Sequence, residues 1–146
     1  MISQIGESMK IYFAGSIRAG REDRELYADL IQHLMQYGDV LTEHVGSKDI
    51  KLNGEDGLTD EQIFNRDIGW VKESDVIVAE VTTPSLGVGL ELGKADEWGK
   101  PVLCLYRKQD GKRLSAMVAG DKKLTVRVYS SPQEAKRIID LFFGSL

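Results

Sequence analysis

Glu91 is a carboxylate on a stripe that should be apolar. The stretch from Glu80 to Ala95 leads from an apolar run, residues 75–79, into a helical pattern that continues to about Trp98. On that helix its neighbours at i−3, i+1, i+4 and i+7 are Val88, Leu92, Ala95 and Trp98, so the side chain falls on the inward face. Close to a helix N-terminus the macrodipole favours the ionised form. Pro84, Ser85, Gly87 and Gly89 lie between the run and the helix. Small residues let a backbone approach a ligand, and a helix N-terminus favours an anion. A buried anion beside such a nest suggests chemistry on a phosphorylated substrate. A plainer role suits the same residues: the glycines permit a tight turn, and a first-turn Glu is a dipole partner. The spacing Gly87-x-Gly89-x-x-x-Gly93 is not the dinucleotide fingerprint, whose third glycine comes one residue earlier. No Gly-Lys-Ser/Thr ending forms a P-loop.

Asp67 repeats the anomaly. Thr59-Asp-Glu-Gln62 is a capping box that starts a helix. The inward positions of that helix are Ile63, Phe64, Ile68 and Val71, and Asp67 shares their stripe. Alone it reads as a stripe-edge Asp bonded to a neighbouring loop. Two such carboxylates in one small α/β domain point to a site.

The elements that must position these groups follow from periodicity. Strands are expected over residues 10–15, 40–45, 75–81, 102–106 and 124–129. Residues 16–21 form a loop with backbone donors, one hydroxyl and two guanidiniums. Asp23 is a candidate N-cap for a helix packed through Leu26, Leu30, Ile31 and Leu34 and ended by Gly38. Residues 46–58 are polar and without period, and read as a mobile loop able to act as a lid. Residues 114–118 suggest a short turn or helix. Ser130 or Ser131 caps a last helix that packs Ala135, Ile138, Ile139, Leu141, Phe142 and Phe143. Strands alternating with helices predict a three-layer, Rossmann-like (flavodoxin-like) α/β fold: a five-stranded parallel sheet, order 2-1-3-4-5, with helices on both faces. Ligands in such folds bind beyond the carboxyl ends of the strands at a switch point. There the loops after the first and third strands, and both carboxylates, share one crevice.

Composition narrows the classes. A chain of 146 residues fits one domain, expected over residues 10–146 with residues 1–9 as a loose extension. A mixed net charge of −4 argues against a general nucleic-acid grip. Cys104 is the only cysteine, and His33 and His44 form no HExxH motif, so no metal cluster or intrachain disulfide is expected. No apolar run approaches the ~18 residues of a membrane span. The expectation is a soluble cytoplasmic protein, with the nucleus as a second location.

The residues also carry a resemblance. Tyr12-Phe-Ala-Gly-Ser-Ile-Arg-Ala-Gly-Arg-Glu-Asp23, Leu41-Thr-Glu-His-Val45, Asp75-Val-Ile-Val-Ala-Glu-Val81, Pro84-Ser-Leu-Gly-Val-Gly-Leu-Glu-Leu-Gly93 and Leu114-Ser-Ala-Met117 closely resemble the 2′-deoxynucleoside 5′-monophosphate N-glycosidases of the nucleoside 2-deoxyribosyltransferase superfamily. The resemblance runs from about Lys10 to the last helix. It implies hydrolysis of the bond between base and deoxyribose 5-phosphate, with no cofactor. It implies Glu91 as nucleophile, Asp67 as acid/base and Tyr12 beside the sugar. Gly15, Ser16, Ile17, Arg18, Ala19, Gly20 and Arg21 would form the phosphate loop, joined by Ser85 and Gly87. His44 would lie near the base. Ser115, with Ala116 and Met117, would reach the partner's phosphate pocket in a homodimer. Ala19 stands where the family pattern has glycine, which would strain a position with φ > 0. A deoxyribosyltransferase, a cytidylate-type ribonucleotide hydrolase and a non-enzymatic nucleotide-binding module are the alternatives.

Overall fold

The computed structural model describes residues 9–44 and 57–146. Five strands, β1 (Lys10–Ala14), β2 (Asp39–Leu41), β3 (Val76–Glu80), β4 (Val102–Arg107) and β5 (Thr125–Tyr129), form one sheet of order β2-β1-β3-β4-β5. Every pairing is parallel, with Tyr12 opposite Leu41 on one side and Ile77 on the other. The order is the expected one. The central strands read as unbroken apolar runs because helices cover both faces.

The helices are α1 (Arg21–Leu34), α2 (Asp60–Glu73), α3 (Leu86–Glu97), the single turn α4 (Ala116–Ala119) and α5 (Pro132–Gly144). Strand alternation divides the core into two layers. Ile11, Phe13, Val76, Val78, Leu103 and Leu105 pack against Tyr27, Leu30 and Leu34 of α1 and Ala135, Ile139 and Phe143 of α5. Tyr12, Ala14, Ile77, Ala79, Val102 and Cys104 pack against Val71 of α2 and Val88, Leu92 and Ala95 of α3. The layer under α2 and α3 is the one that contains both stripe carboxylates.

Local chemistry sets the helix ends. Thr59 and Gln62 form the reciprocal capping box, and Ser85 and Ser131 cap α3 and α5. Asp23 is not a cap: α1 begins at Arg21, behind an extended Gly20 with no side-chain cap, and Asp23 lies in its first turn. β2 ends at Leu41, short of the expected residue 45, where the Thr42 hydroxyl turns back to the Phe13 carbonyl. Phe64 and Leu141, expected inward, are exposed because their helices present narrower apolar stripes. The lid expected over residues 46–58 lies almost wholly outside the described residues, as do residues 1–8 of the expected extension. Met9 packs against the α1/α5 layer.

The β2 edge is tightly fitted. A Cβ on Gly38 would clash with the Met9 carbonyl oxygen, which already accepts from the Asp39 amide. Gly38→Ala should therefore destabilise the fold by ~1–3 kcal/mol, the usual cost of overpacking. Urea unfolding measures this, and an unchanged midpoint would contradict the packing.

Candidate active site

β1, α2 and α3 bring three buried groups together. Tyr12 stands in the middle of β1 rather than at its carboxyl end, and its ring is only 1% exposed. Asp67 lies on the inward face of α2, one turn before Val71, and Glu91 on that of α3. The Tyr12 hydroxyl donates to Glu91 Oε2 at 2.7 Å. One carboxylate oxygen each from Glu43, Asp67 and Glu91 lies within 4.8 Å of the others. Arg66 supplies a compensating cation: its Nε donates to Asp67 Oδ1 at 2.8 Å, and its Nη2 lies 3.4 Å from Glu43 Oε2. The same guanidinium sits 4.9 Å from the centroid of the Trp70 ring, a cation–π arrangement. The three carboxylates are the group here with the spacing of a metal-ligand set, and Arg66 already engages two of them.

Like charges this close favour retention of a proton. Burial pushes Glu91 up to about 7, Asp67 adds to the rise, and the Tyr12 hydroxyl and Arg66 oppose it. The helix dipole does not keep Glu91 ionised. Glu91 is the sixth residue of α3, whose first turn holds no acid, and the dipole's influence fades beyond that turn. Burial raises the Tyr12 phenol strongly, and Glu91 adds to it, so Tyr12 remains a donor.

The two expected anion loops lead into α1 and α3 from neighbouring strands. Gly15 and Ser16 are buried, and the Ser16 amide donates to the Tyr27 hydroxyl at 3.2 Å. A Cβ on Gly15 would come within 2.8 Å of the Tyr27 ring, so glycine is needed there for close approach. The Arg18 amide donates to Ser16 Oγ, while Ile17, Arg18, Gly20 and Arg21 are exposed. Ala19 is buried, and no described non-glycine residue has a positive φ. Alanine therefore costs no backbone strain. Gly87 lies inside the first turn of α3 rather than in the loop, and Ser85 Oγ accepts from the Val88 amide.

Two further expected residues have partners of their own. His44 Nε2 donates to the Gly15 carbonyl at 2.8 Å, which ties it to the start of the anion loop. Ser115 caps α4 by accepting from the Met117 amide, with Ala116 and Met117 exposed beside it. Sequence reasoning missed Glu43, Arg66 and Trp70. A signal existed for the last two: Arg66 and Trp70 are four apart on one helix, the spacing of a stacked pair.

Two measurements test this electrostatic picture. Side-chain carbon NMR should find Glu91 titrating near 7, and Tyr12→Phe should move that titration upward, since it removes a donor to the ionised form. A raised carboxyl pKa favours the fold while protonated, and that benefit is lost as pH rises from the ordinary Glu value through about 7. Glu91→Gln should thus gain Tm over wild type at pH 8 and gain little at pH 5. A constant gain at both would contradict a buried, titrating Glu91.

A model of the family described as nucleoside 2-deoxyribosyltransferase matches residues 11–128. The chain is 53% identical over 136 residues to a putative 2′-deoxynucleoside 5′-phosphate N-hydrolase 1 of Trichoplax adhaerens, covering 91% of this chain and 92% of that protein. It is 47% identical over 141 residues to a 5-hydroxymethyl-dUMP N-hydrolase of Tetraodon nigroviridis, covering 94% and 99%. Among solved structures, the CMP N-glycosidase BcmB of Clostridium botulinum superposes with a TM-score of 0.69 at 20% identity, covering 90% of this chain and 98% of that one. That likeness is one of fold. The matched span carries β1, α2 and α3 with Tyr12, Asp67 and Glu91, and the chain belongs to the nucleoside 2-deoxyribosyltransferase family.

Proposed function

We propose that this protein hydrolyses the N-glycosidic bond of 2′-deoxynucleoside 5′-monophosphates, releasing free base and 2-deoxyribose 5-phosphate. The observation that carries the reading is a buried Glu91, hydrogen-bonded to Tyr12 and within 4.8 Å of Asp67, beside two loops that end at helix N-termini. That carboxyl spacing suits a retaining glycosidase, whose pair stands ~5–5.5 Å apart, rather than an inverting one. The N-hydrolase names of the two relatives above support the same chemistry.

Glu91 attacks C1′ as the C1′–N bond breaks, and a carboxylate ester forms. The leaving nitrogen takes a proton from Asp67, the general acid. Water then attacks C1′, Asp67 takes its proton, and Glu91 is released as a carboxylate. Tyr12 steadies Glu91 and fills the space that a 2′-hydroxyl would need. Residues 15–21, Ser85 and Gly87 hold the 5′-phosphate, as helix N-termini favour anions. His44 steadies the first of these loops and lies toward the base.

The protein acts as a homodimer in which Ser115 serves the partner's phosphate pocket. The 85% exposure of Met117, two residues from Ser115, supports an apolar contact there, since aliphatic and Met-rich patches suit an interface core.

Chromatography of free base after incubation with dGMP, GMP, deoxyguanosine and 5-hydroxymethyl-dUMP tests the reaction. Deoxynucleoside monophosphates should be cleaved and GMP spared; a new nucleotide formed when a second base is added would instead identify a transferase. Glu91→Gln should abolish turnover but retain ligand binding, and near-wild-type turnover would remove it as nucleophile. Asp67→Asn should lose least with a good leaving base, whereas a uniform loss counts against the acid role. Tyr12→Phe should slow the reaction and narrow the gap between dGMP and GMP. Ser115→Ala should weaken monophosphate binding by roughly 0.5–3 kcal/mol. Mixed with Glu91→Gln protomers it should restore one complete site, and mixtures without recovery would exclude sharing across the interface.

A further inference from the structure

Another buried carboxylate stands on the opposite face of the sheet, outside the chemistry above. Glu80, the last residue of β3, is 1% exposed. Its Oε1 accepts from the Thr82 amide at 3.0 Å, and its Oε2 accepts from the hydroxyls of Thr82 and Tyr129, each at 2.6 Å. Thr82 Oγ1 accepts in turn from the Arg107 amide at 2.9 Å. The Arg107 guanidinium donates to Asp23 Oδ1 at 2.9 Å, and the Thr83 hydroxyl to Asp23 Oδ2 at 3.3 Å. Asp23 opens α1 just after residues 15–20, while Thr82 and Thr83 come just before Ser85. Asp23 therefore ties the start of α1 to Thr83 of the loop after β3 and to Arg107 at the end of β4.

The bridge has an electrostatic side. Glu22 and Asp23 load the first turn of α1 with negative charge. A dianion arriving at that N-terminus would meet it. Arg107 cancels the charge of Asp23 and does so from a fixed place, because its own backbone is locked to Thr82 and through it to Glu80.

We propose that Asp23 and Arg107, anchored on Glu80 through Thr82, are positioning residues for the 5′-monophosphate. They hold the two loops at the spacing of one phosphate group and neutralise the acidic start of α1. This rests on the phosphate-loop reading under Proposed function.

The test compares kcat and KM for dGMP, and inhibition by 2-deoxyribose 5-phosphate and by deoxyguanosine, in wild type, Arg107→Met, Arg107→Met with Asp23→Asn, and Thr83→Val. Arg107→Met should raise KM for dGMP and Ki for the sugar phosphate about tenfold, the scale of one charge-assisted hydrogen bond. Its kcat should stay within about twofold, the signature of lost uniform binding, and inhibition by deoxyguanosine should be unaltered. Adding Asp23→Asn should recover part of the loss, because the uncompensated charge is gone while the ion pair that holds the loops is still missing. Parallel losses for nucleotide and nucleoside, or no recovery in the double variant, would overturn the proposal. If Arg107→Met does not fold, Thr83→Val decides: an unchanged KM overturns it, and a rise confined to the phosphorylated ligands supports it. A wild type that neither cleaves dGMP nor binds 2-deoxyribose 5-phosphate would fail before any substitution, removing the functional reading and the brace with it.

Discussion

A carboxylate forced into an apolar layer needs a donor, and the Tyr12–Glu91 hydrogen bond meets that need. It joins the central part of the sheet to the helix that covers it, inside the packed layer that also holds Val88, Leu92 and Ile77. Without a donor the buried group would be held more firmly in its protonated form. With one, the Glu91 carboxyl is raised by burial to about 7, the phenol opposing a further rise. A group so poised can exchange charge at little cost. The stability forgone by burying it is a familiar feature of catalytic sites.

Around that bond one cation partly offsets the acids. Three carboxylates face one guanidinium, and Arg66 is held in turn by the Trp70 face. The second buried carboxylate system, at Glu80, is kept on the far side of the sheet. Strand alternation makes this separation possible. Ala79 faces the α2/α3 layer and its neighbour Glu80 the other one, so two anionic networks can share one sheet without repelling each other through a common cavity.

The strand order and the two stripe carboxylates were legible in the sequence because both are periodic signals. A parallel strand covered on both faces has to be apolar throughout, and an acid on a helical stripe interrupts a regular pattern. Glu43 carried no such signal. It lies beyond the end of β2, and it meets Arg66 only because the fold closes a separation of 23 residues. Asp23 misled for the same reason: its position before an apolar run suits a cap, but its partner Arg107 is 84 residues away. The pKa of Glu91 was misjudged because the dipole argument depends on where the helix starts, and α3 starts earlier than the glycines suggest.

The mid-strand position of Tyr12 also limits how this protein can change. Its neighbour Phe13 faces the other layer. Deleting one residue from the start of β1 while keeping its pairing would exchange the two rings, a consequence of the two-residue period of strands. A benzyl ring would then face Glu91 with no hydroxyl, and a phenol would be driven into the layer of α1 and α5 with its oxygen unpaired. Substitutions along β1 can be tried one at a time, but a change of length there damages fold and chemistry in a single step. Libraries meant to alter this enzyme's specificity should therefore vary length in the loops after the strands and leave the length of β1 alone.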